Sequence, residues 1–210
     1  MRIVPSILTD RLEQFQDLLV RAAGFADYVQ VDFMDGLFVP SKSISPSDLD
    51  GLHAGLSCEA HLMVERPVAY VEALSSLGFK RIIFHCEARS DPRAAIAAIR
   101  EEGIQPAMAI NPDTPISCLE DFVEELDSVL FLSVSPGFYG GRFIPVVLEK
   151  IQRFRGRHPS LTIGIDGGVS LDNIPEIKSV GVDYACVGSR IFLSGDPAAS
   201  YVALSKRAEE

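Results

Sequence analysis

Residues 81–110 read RIIFHCEARSDPRAAIAAIREEGIQPAMAI, and the change of period inside this stretch decides the fold. Arg81–His85 is a short apolar run of strand length. Residues 92–102 carry apolar side chains at helical steps. They begin on Pro92, whose missing N–H is not needed in a first turn, and stop before Gly103, which suits a helix terminus. Residues 106–110 return to a strand-like run. Strand, helix and strand at this spacing make a parallel β–α unit, because parallel neighbours need a long crossover between them.

The alternation continues in both directions. Strand-like runs cover residues 3–8, 28–33, 58–63, 81–85, 106–110, 129–134, 162–165 and 184–187. Helical patterns cover 11–23, 46–54, 67–77, 92–102, 116–125, 145–155, 171–180 and 197–207. The 210 residues thus divide into eight units of about 26 residues each, enough to close a (β/α)8 TIM barrel. A doubly wound sheet rarely uses so many units. The expectation is one barrel domain over residues 1–210, with no length left for a second.

Composition narrows the partners. Hydrophobic residues make up 47% of the chain, which excludes intrinsic disorder. Nineteen Lys and Arg stand against 29 Asp and Glu, a formal charge of −10. Such a surface repels nucleic acid and anionic membranes, no basic patch interrupts it, and neither is expected as a partner. The four cysteines, Cys58, Cys86, Cys118 and Cys186, stand 28 residues or more apart with no Cys-x-x-Cys, so reduced thiols are expected. The N-terminal apolar stretch is too short for a signal peptide, and no uncharged apolar run reaches spanning length. The reading is a cytoplasmic protein.

A barrel enzyme carries its chemistry at the C-terminal ends of its strands. Gln30, Asp32 and Met34 share one parity in the second strand, while Val29, Val31 and Phe33 take the other. If the second set packs beneath the helices, the first looks into the barrel mouth. Glu59, His61 and Met63 repeat the pattern in the third strand, and Asp166 closes the seventh. Asp32, His61 and Asp166 therefore converge on one volume. They can serve as metal ligands, or the carboxylates as an acid–base pair with divergent pKa values. Asp35, in the turn Met34-Asp35-Gly36, is expected to cap that turn. His85 is either a ligand or a support behind one, and Glu59 an orienting group. His53 and His158 are expected on the surface.

Glycines mark a second site. Gly137, Gly140 and Gly141 follow the sixth strand, Gly167 and Gly168 the seventh, and Gly188-Ser189 the eighth. No motif for a nucleotide cofactor is present. Small residues let backbone N–H groups approach an anion, and the loops after strands seven and eight commonly seat phosphate in barrels. Tight turns with no ligand are the competing reading.

At these residues the chain resembles the ribulose-phosphate 3-epimerase family, across nearly its whole length. The matching segments are Pro5-Ser6-Ile7-Leu8, Val31-Asp32-Phe33-Met34-Asp35-Gly36 and His61-Leu62-Met63. They continue as His85-Cys86-Glu87, Asn111-Pro112, residues 133–141, Asp166-Gly167-Gly168 and Gly188-Ser189. The resemblance implies a ribulose-phosphate-binding TIM barrel that interconverts D-ribulose 5-phosphate and D-xylulose 5-phosphate. Asp32 and Asp166 would be the two bases, one on each face of C3. Ser6, His61, Met34 and Met63 would line the sugar, and the glycine loops would hold its phosphate. Residues 137–143 would close over it, with Phe38, Phe138 and Tyr139 as lid or interface residues. A divalent zinc, iron or manganese ion would sit on Asp32, His61 and Asp166, and the protein would be a homo-oligomer.

One departure bears on that metal. The family usually has a histidine two residues before the strand-two aspartate, as a fourth ligand; this chain has Gln30, whose amide is the weaker donor. His85 is then a possible contributor. Ser135, Leu132 and Asp113 also depart from the residues common there. These differences keep two alternatives open. One is an enzyme acting on another ketose phosphate. The other is a non-catalytic phosphosugar-binding relative. A decarboxylase of this superfamily would show a lysine on strands two or three, which have none.

Overall fold

The computed structural model describes residues 1–49, 55–138 and 140–210. Eight strands run in chain order: β1 (Arg2–Ile7), β2 (Tyr28–Met34), β3 (Ser57–Met63), β4 (Arg81–His85), β5 (Gln105–Ile110), β6 (Ser128–Leu132), β7 (Thr162–Asp166) and β8 (Tyr184–Val187). Each pairs in parallel with the next, and β8 returns to β1, with Val4 opposite Cys186, to close the barrel. The helices form the outer layer: α1 (Leu12–Ala23), α2 (Val68–Ser76), α3 (Pro92–Glu101), α4 (Ser117–Glu120), α5 (Val146–Arg157), α6 (Ile174–Ser179), α7 (Ser189–Phe192) and α8 (Pro197–Glu209).

Three segments differ from the sequence expectation. Only a 3-10 turn, Pro46–Leu49, stands at the start of the 46–54 pattern; the rest of it, with His53, lies outside the described residues. The 116–125 pattern breaks into α4 and a second 3-10 turn, Val123–Glu125, where adjacent acidic Glu124 and Glu125 are ill-suited to a helix C-terminus. The 171–180 helix starts three residues late, because Asn173 accepts the Ser170 N–H at 2.8 Å and holds the chain in a turn first. Helix α7, immediately after β8, had no periodic signal at four residues.

Strand parity divides the core. Val29, Val31 and Phe33 of β2 pack outward beneath the helices with Leu18, Leu74 and Phe84 in the main apolar cluster, each such side chain contributing roughly 1.5–3 kcal/mol when fully buried. Val4, Ile83, Ala107, Leu130, Tyr184 and Cys186 form a separate cluster inside the barrel. Polar side chains fill the inward positions of β2 and β3 below Met34 and Met63. In the lower layer, toward the strand N-termini, the fully buried Glu59 accepts the Tyr28 hydroxyl at 3.0 Å and Arg81 Nη1 at 3.1 Å. The Tyr184 ring crosses this layer above Gly164, where a Cβ would stand 2.3 Å from the ring's Cζ. Gln30, opposite Glu59 in register, joins this layer to the one above, where Asp32 stands opposite His61. Among the described residues no helix is long and apolar enough to cross a membrane.

Candidate active site

The upper layer of the lumen gathers Ser6 from β1, Gln30 and Asp32 from β2, His61 from β3 and Asp166 from β7. Asp32, His61 and Asp166 each present a ligand atom, all within 4.8 Å of one another. His61 Nδ1 lies 3.0 Å from Asp32 Oδ1 and 3.6 Å from Asp166 Oδ2. The Ser6 hydroxyl donates to Asp32 Oδ2 at 2.7 Å. The convergence that parity predicted is therefore present, and its donor chemistry, two carboxylates and an imidazole, suits a divalent cation.

Gln30 has a different place from the one expected of a weak ligand. Its Nε2 donates to Asp32 Oδ1 at 2.9 Å and to Asp166 Oδ2 at 2.7 Å, tying the carboxylates together. Its Oε1 faces away and accepts the Cys186 thiol at 3.0 Å. Cys186 was not singled out by the sequence reading. Its alternation with Tyr184 on β8, both inward, was the available signal.

His85 is not among the converging ligand atoms. It stands behind His61, its Nε2 2.9 Å from His61 Nε2, and its Nδ1 is 3.2 Å from Glu87 Oε2. Glu59 belongs to the lower layer. Asp35 caps its turn as expected, accepting the N–H groups of Leu37, Phe38 and Glu65. His158 is half-buried rather than free on the surface, because its ring packs 4.6 Å from Phe154 and its Nε2 meets Glu120 Oε2 at 2.9 Å.

Electrostatics separate these groups. Burial, reinforced by the nearby Asp32 charge, raises Asp166 to about 7. Burial opposes a charge on His61, but the Asp32 and Asp166 carboxylates outweigh it and raise its pKa. Burial lowers His85 to about 4. For Glu87, burial is outweighed by hydrogen bonds from His85, Thr114 and the Asn111 N–H, and its pKa falls to about 2. Burial pushes the Cys186 thiol well up, so it stays protonated and available to Gln30.

The glycine segments meet the carboxylates in one cavity. It encloses about 590 Å³ of empty space, part of it open to solvent, and is lined by Ser6, Asp32, His61, Met63 and Asp166 together with Gly137, Gly140, Gly141, Gly167, Gly168, Gly188 and Ser189. Arg190, Phe138 and Val134 also line it, and Tyr139 lies outside the described residues. Gly168 has a positive φ of 64°, and a Cβ there would stand 2.7 Å from the Phe143 nitrogen, so only glycine lets the two loops close on each other. Helix α7 opens at Ser189, leaving its first N–H groups without intrahelical acceptors. Met34 does not line this cavity; it is buried with Val39 and Met63 beside it.

Comparison with known proteins bears on the family and the fold. The sequence pattern of the Ribulose-phosphate 3 epimerase family matches residues 2–192. The chain is similar to a ribulose-phosphate 3-epimerase of Mycobacterium bovis, 34% identical over 98% of this chain and 92% of that protein. It is equally similar to the cytoplasmic isoform of Oryza sativa, 34% identical over 99% of this chain and 94% of the relative. Among solved structures, KGPDC from Streptococcus mutans in complex with D-R5P superposes with a TM-score of 0.75 at 14% identity, covering 99% of this chain and 96% of that one. The 3-hexulose-6-phosphate synthase of Salmonella typhimurium gives 0.72 at 15% identity, covering 100% and 99%. At such identities the structural matches speak for the barrel alone.

Proposed function

This chain belongs to the ribulose-phosphate 3-epimerase family, and we propose that it interconverts D-ribulose 5-phosphate and D-xylulose 5-phosphate by inverting C3 through an enediolate. The observation that carries the reading is the pair Asp32 and Asp166, both lining one cavity with the glycine loops and tied through one amide. Inversion needs a proton acceptor on one face of C3 and a donor on the other. Asp166, near 7, is poised between its two forms at neutral pH. Asp32 takes the opposite face, with the Ser6 hydroxyl fixing its Oδ2.

The phosphate belongs with Gly140-Gly141, Gly167-Gly168 and Gly188-Ser189, where small residues and the start of α7 give an anion close access to backbone N–H groups. Ser6, His61 and Met63 border the sugar. Residues 1–210 act as one domain in this scheme.

Asp32, His61 and Asp166 would hold a divalent cation such as zinc, iron or manganese. Bound there, a cation supplies positive charge for oxygens that become anionic in the enediolate. The set Asp32, His61 and Asp166 is intact, and Gln30 stands beside it with its amide N–H groups on both carboxylates, so a cation must compete with them.

The test is exchange of the C3 proton of ribulose 5-phosphate in deuterium oxide, with protein stripped of metal and protein resupplied with it. Deuterium at C3 of both epimers, faster with metal, is expected. Binding of both epimers with no exchange would overturn the assignment and favour a phosphosugar-binding relative.

A further inference from the structure

The two-base scheme leaves unused a line of buried polar groups behind His61. Glu87 Oε2 lies 3.2 Å from His85 Nδ1, and His85 Nε2 lies 2.9 Å from His61 Nε2. Both rings are 1% exposed. The other Glu87 oxygen accepts the Asn111 N–H at 2.8 Å, and the Asn111 carbonyl is held in turn by Lys150 Nζ at 2.7 Å.

This line has a fixed direction. A peptide N–H can only donate and an ionised carboxylate can only accept, so Glu87 takes the proton-bearing Nδ1 of His85. The His85 ring is enclosed, with the Phe38 ring tilted against it at 4.7 Å between centroids. With a cation on His61 Nδ1 the ring proton of His61 is on Nε2, so His85 Nε2 must accept it and His85 keeps its own proton on Nδ1, where Glu87 accepts. The contact of 2.9 Å between the rings needs one proton, and His61 supplies it from its own Nε2. His61 Nδ1, 3.0 Å from Asp32 Oδ1 and 3.6 Å from Asp166 Oδ2, then holds toward the carboxylates only the proton that a cation would displace.

We propose that Glu87, acting through His85, is a positioning residue that keeps the proton of His61 on Nε2, so that Nδ1 offers its lone pair beside the two carboxylates as the third ligand of a cation. The inference rests on the reading of Asp32, His61 and Asp166 as a metal-binding set. It adds a reason for the residue pair His85 and Glu87, which do not line the cavity. Partners of this kind orient a ligating histidine and fix its tautomer.

Glu87→Gln tests it by reversing the direction of the line. The Asn111 N–H still requires an acceptor, so the new amide carbonyl turns to it and the NH₂ group faces His85 Nδ1. His85 then carries its proton on Nε2, and with a cation on His61 Nδ1 two N–H groups oppose each other. The expected loss is about 10–100-fold in zinc affinity, measured by titration after chelation. In the zinc-loaded parent, ¹⁵N NMR of the imidazoles should show the shared proton on His61 Nε2, with scalar coupling across the hydrogen bond to His85 Nε2. That coupling should vanish in the variant. Unchanged zinc affinity in Glu87→Gln overturns the proposal, and so does a parent spectrum with the shared proton on His85. The parent spectrum decides even if the variant does not fold. A parent that binds no zinc sinks the underlying metal reading instead, which separates the two failures.

Discussion

The barrel lumen buries carboxylates in two layers, and the layers answer that charge in opposite ways. In the lower layer Glu59 meets the Arg81 guanidinium and the Tyr28 hydroxyl, so the chain supplies its own cation. In the upper layer Asp32 and Asp166 share a glutamine amide and a histidine, Asp32 alone takes the Ser6 hydroxyl, and no Lys or Arg among the described residues reaches either of them. The lower layer is complete in charge and reads as architecture. The upper layer holds an excess of negative charge at close range, an unfavourable arrangement unless a proton or a cation relieves it. Two similar-looking polar clusters thus divide into scaffold and receptor by the presence or absence of one guanidinium.

The contrast breaks most visibly on activity. Asp32→Asn and Asp166→Asn should each lower kcat for C3 inversion by about 10²–10⁴-fold while circular dichroism shows the barrel intact. Parental epimerisation by either variant would end the two-base scheme. The lower layer should respond in stability instead. Arg81→Met leaves Glu59 with the Tyr28 hydroxyl as partner and forces it to take a proton, at a cost of about 3–5 kcal/mol in urea unfolding. Adding Glu59→Leu should restore much of that loss, and failure to do so would show that the pair is not acting as a unit.

A smaller effect separates the layers by pH in metal-free protein. Asp166 rises from its ordinary 3.8 to about 7 on folding, so the folded state holds a proton that the unfolded chain releases first. Stability attached to this group is greatest below 3.8 and falls as pH climbs through 7. Asp166→Asn should remove that slope and be the more stable protein above pH 7, by a few kcal/mol. Saturating divalent metal should restore the parent. His85 and Glu87, lowered to about 4 and about 2, act in the reverse sense and lose stability as pH falls through those values, so the urea midpoint should be followed across both windows. The smallest expected change is in Gln30→His, which exchanges amide donors for an imidazole ligand and should tighten zinc binding on the order of tenfold. Weaker binding would show that the amide bridge, by holding the carboxylates together, helps the cation.

Much of this was legible in the residues themselves. A two-residue period in β2 separated Val31 and Phe33 from Gln30 and Asp32, and the glycine doublets fell at strand ends where a barrel places its ligands. Local pattern could not carry the direction of a hydrogen bond. Whether Gln30 offers its oxygen or its nitrogen depends on Asp166, 136 residues away, and on the Cys186 thiol behind it. The same limit hid the role of His85, whose sequence neighbours say nothing of the His61 ring it faces. Helix α7 was missed for a different reason: four residues are little more than one turn, too short for any period to show.

The contact between Gly164 and Tyr184 carries a consequence for how this lineage can vary. A single added methyl at 164 would collide with the ring, while a smaller residue at 184 would open a hole beside a bare strand. Neither position can drift alone through small steps. Across descendants of this chain the two sites should be inherited as a unit, a large residue always paired with its glycine, and a reshaped lumen floor should appear only where both codons have changed.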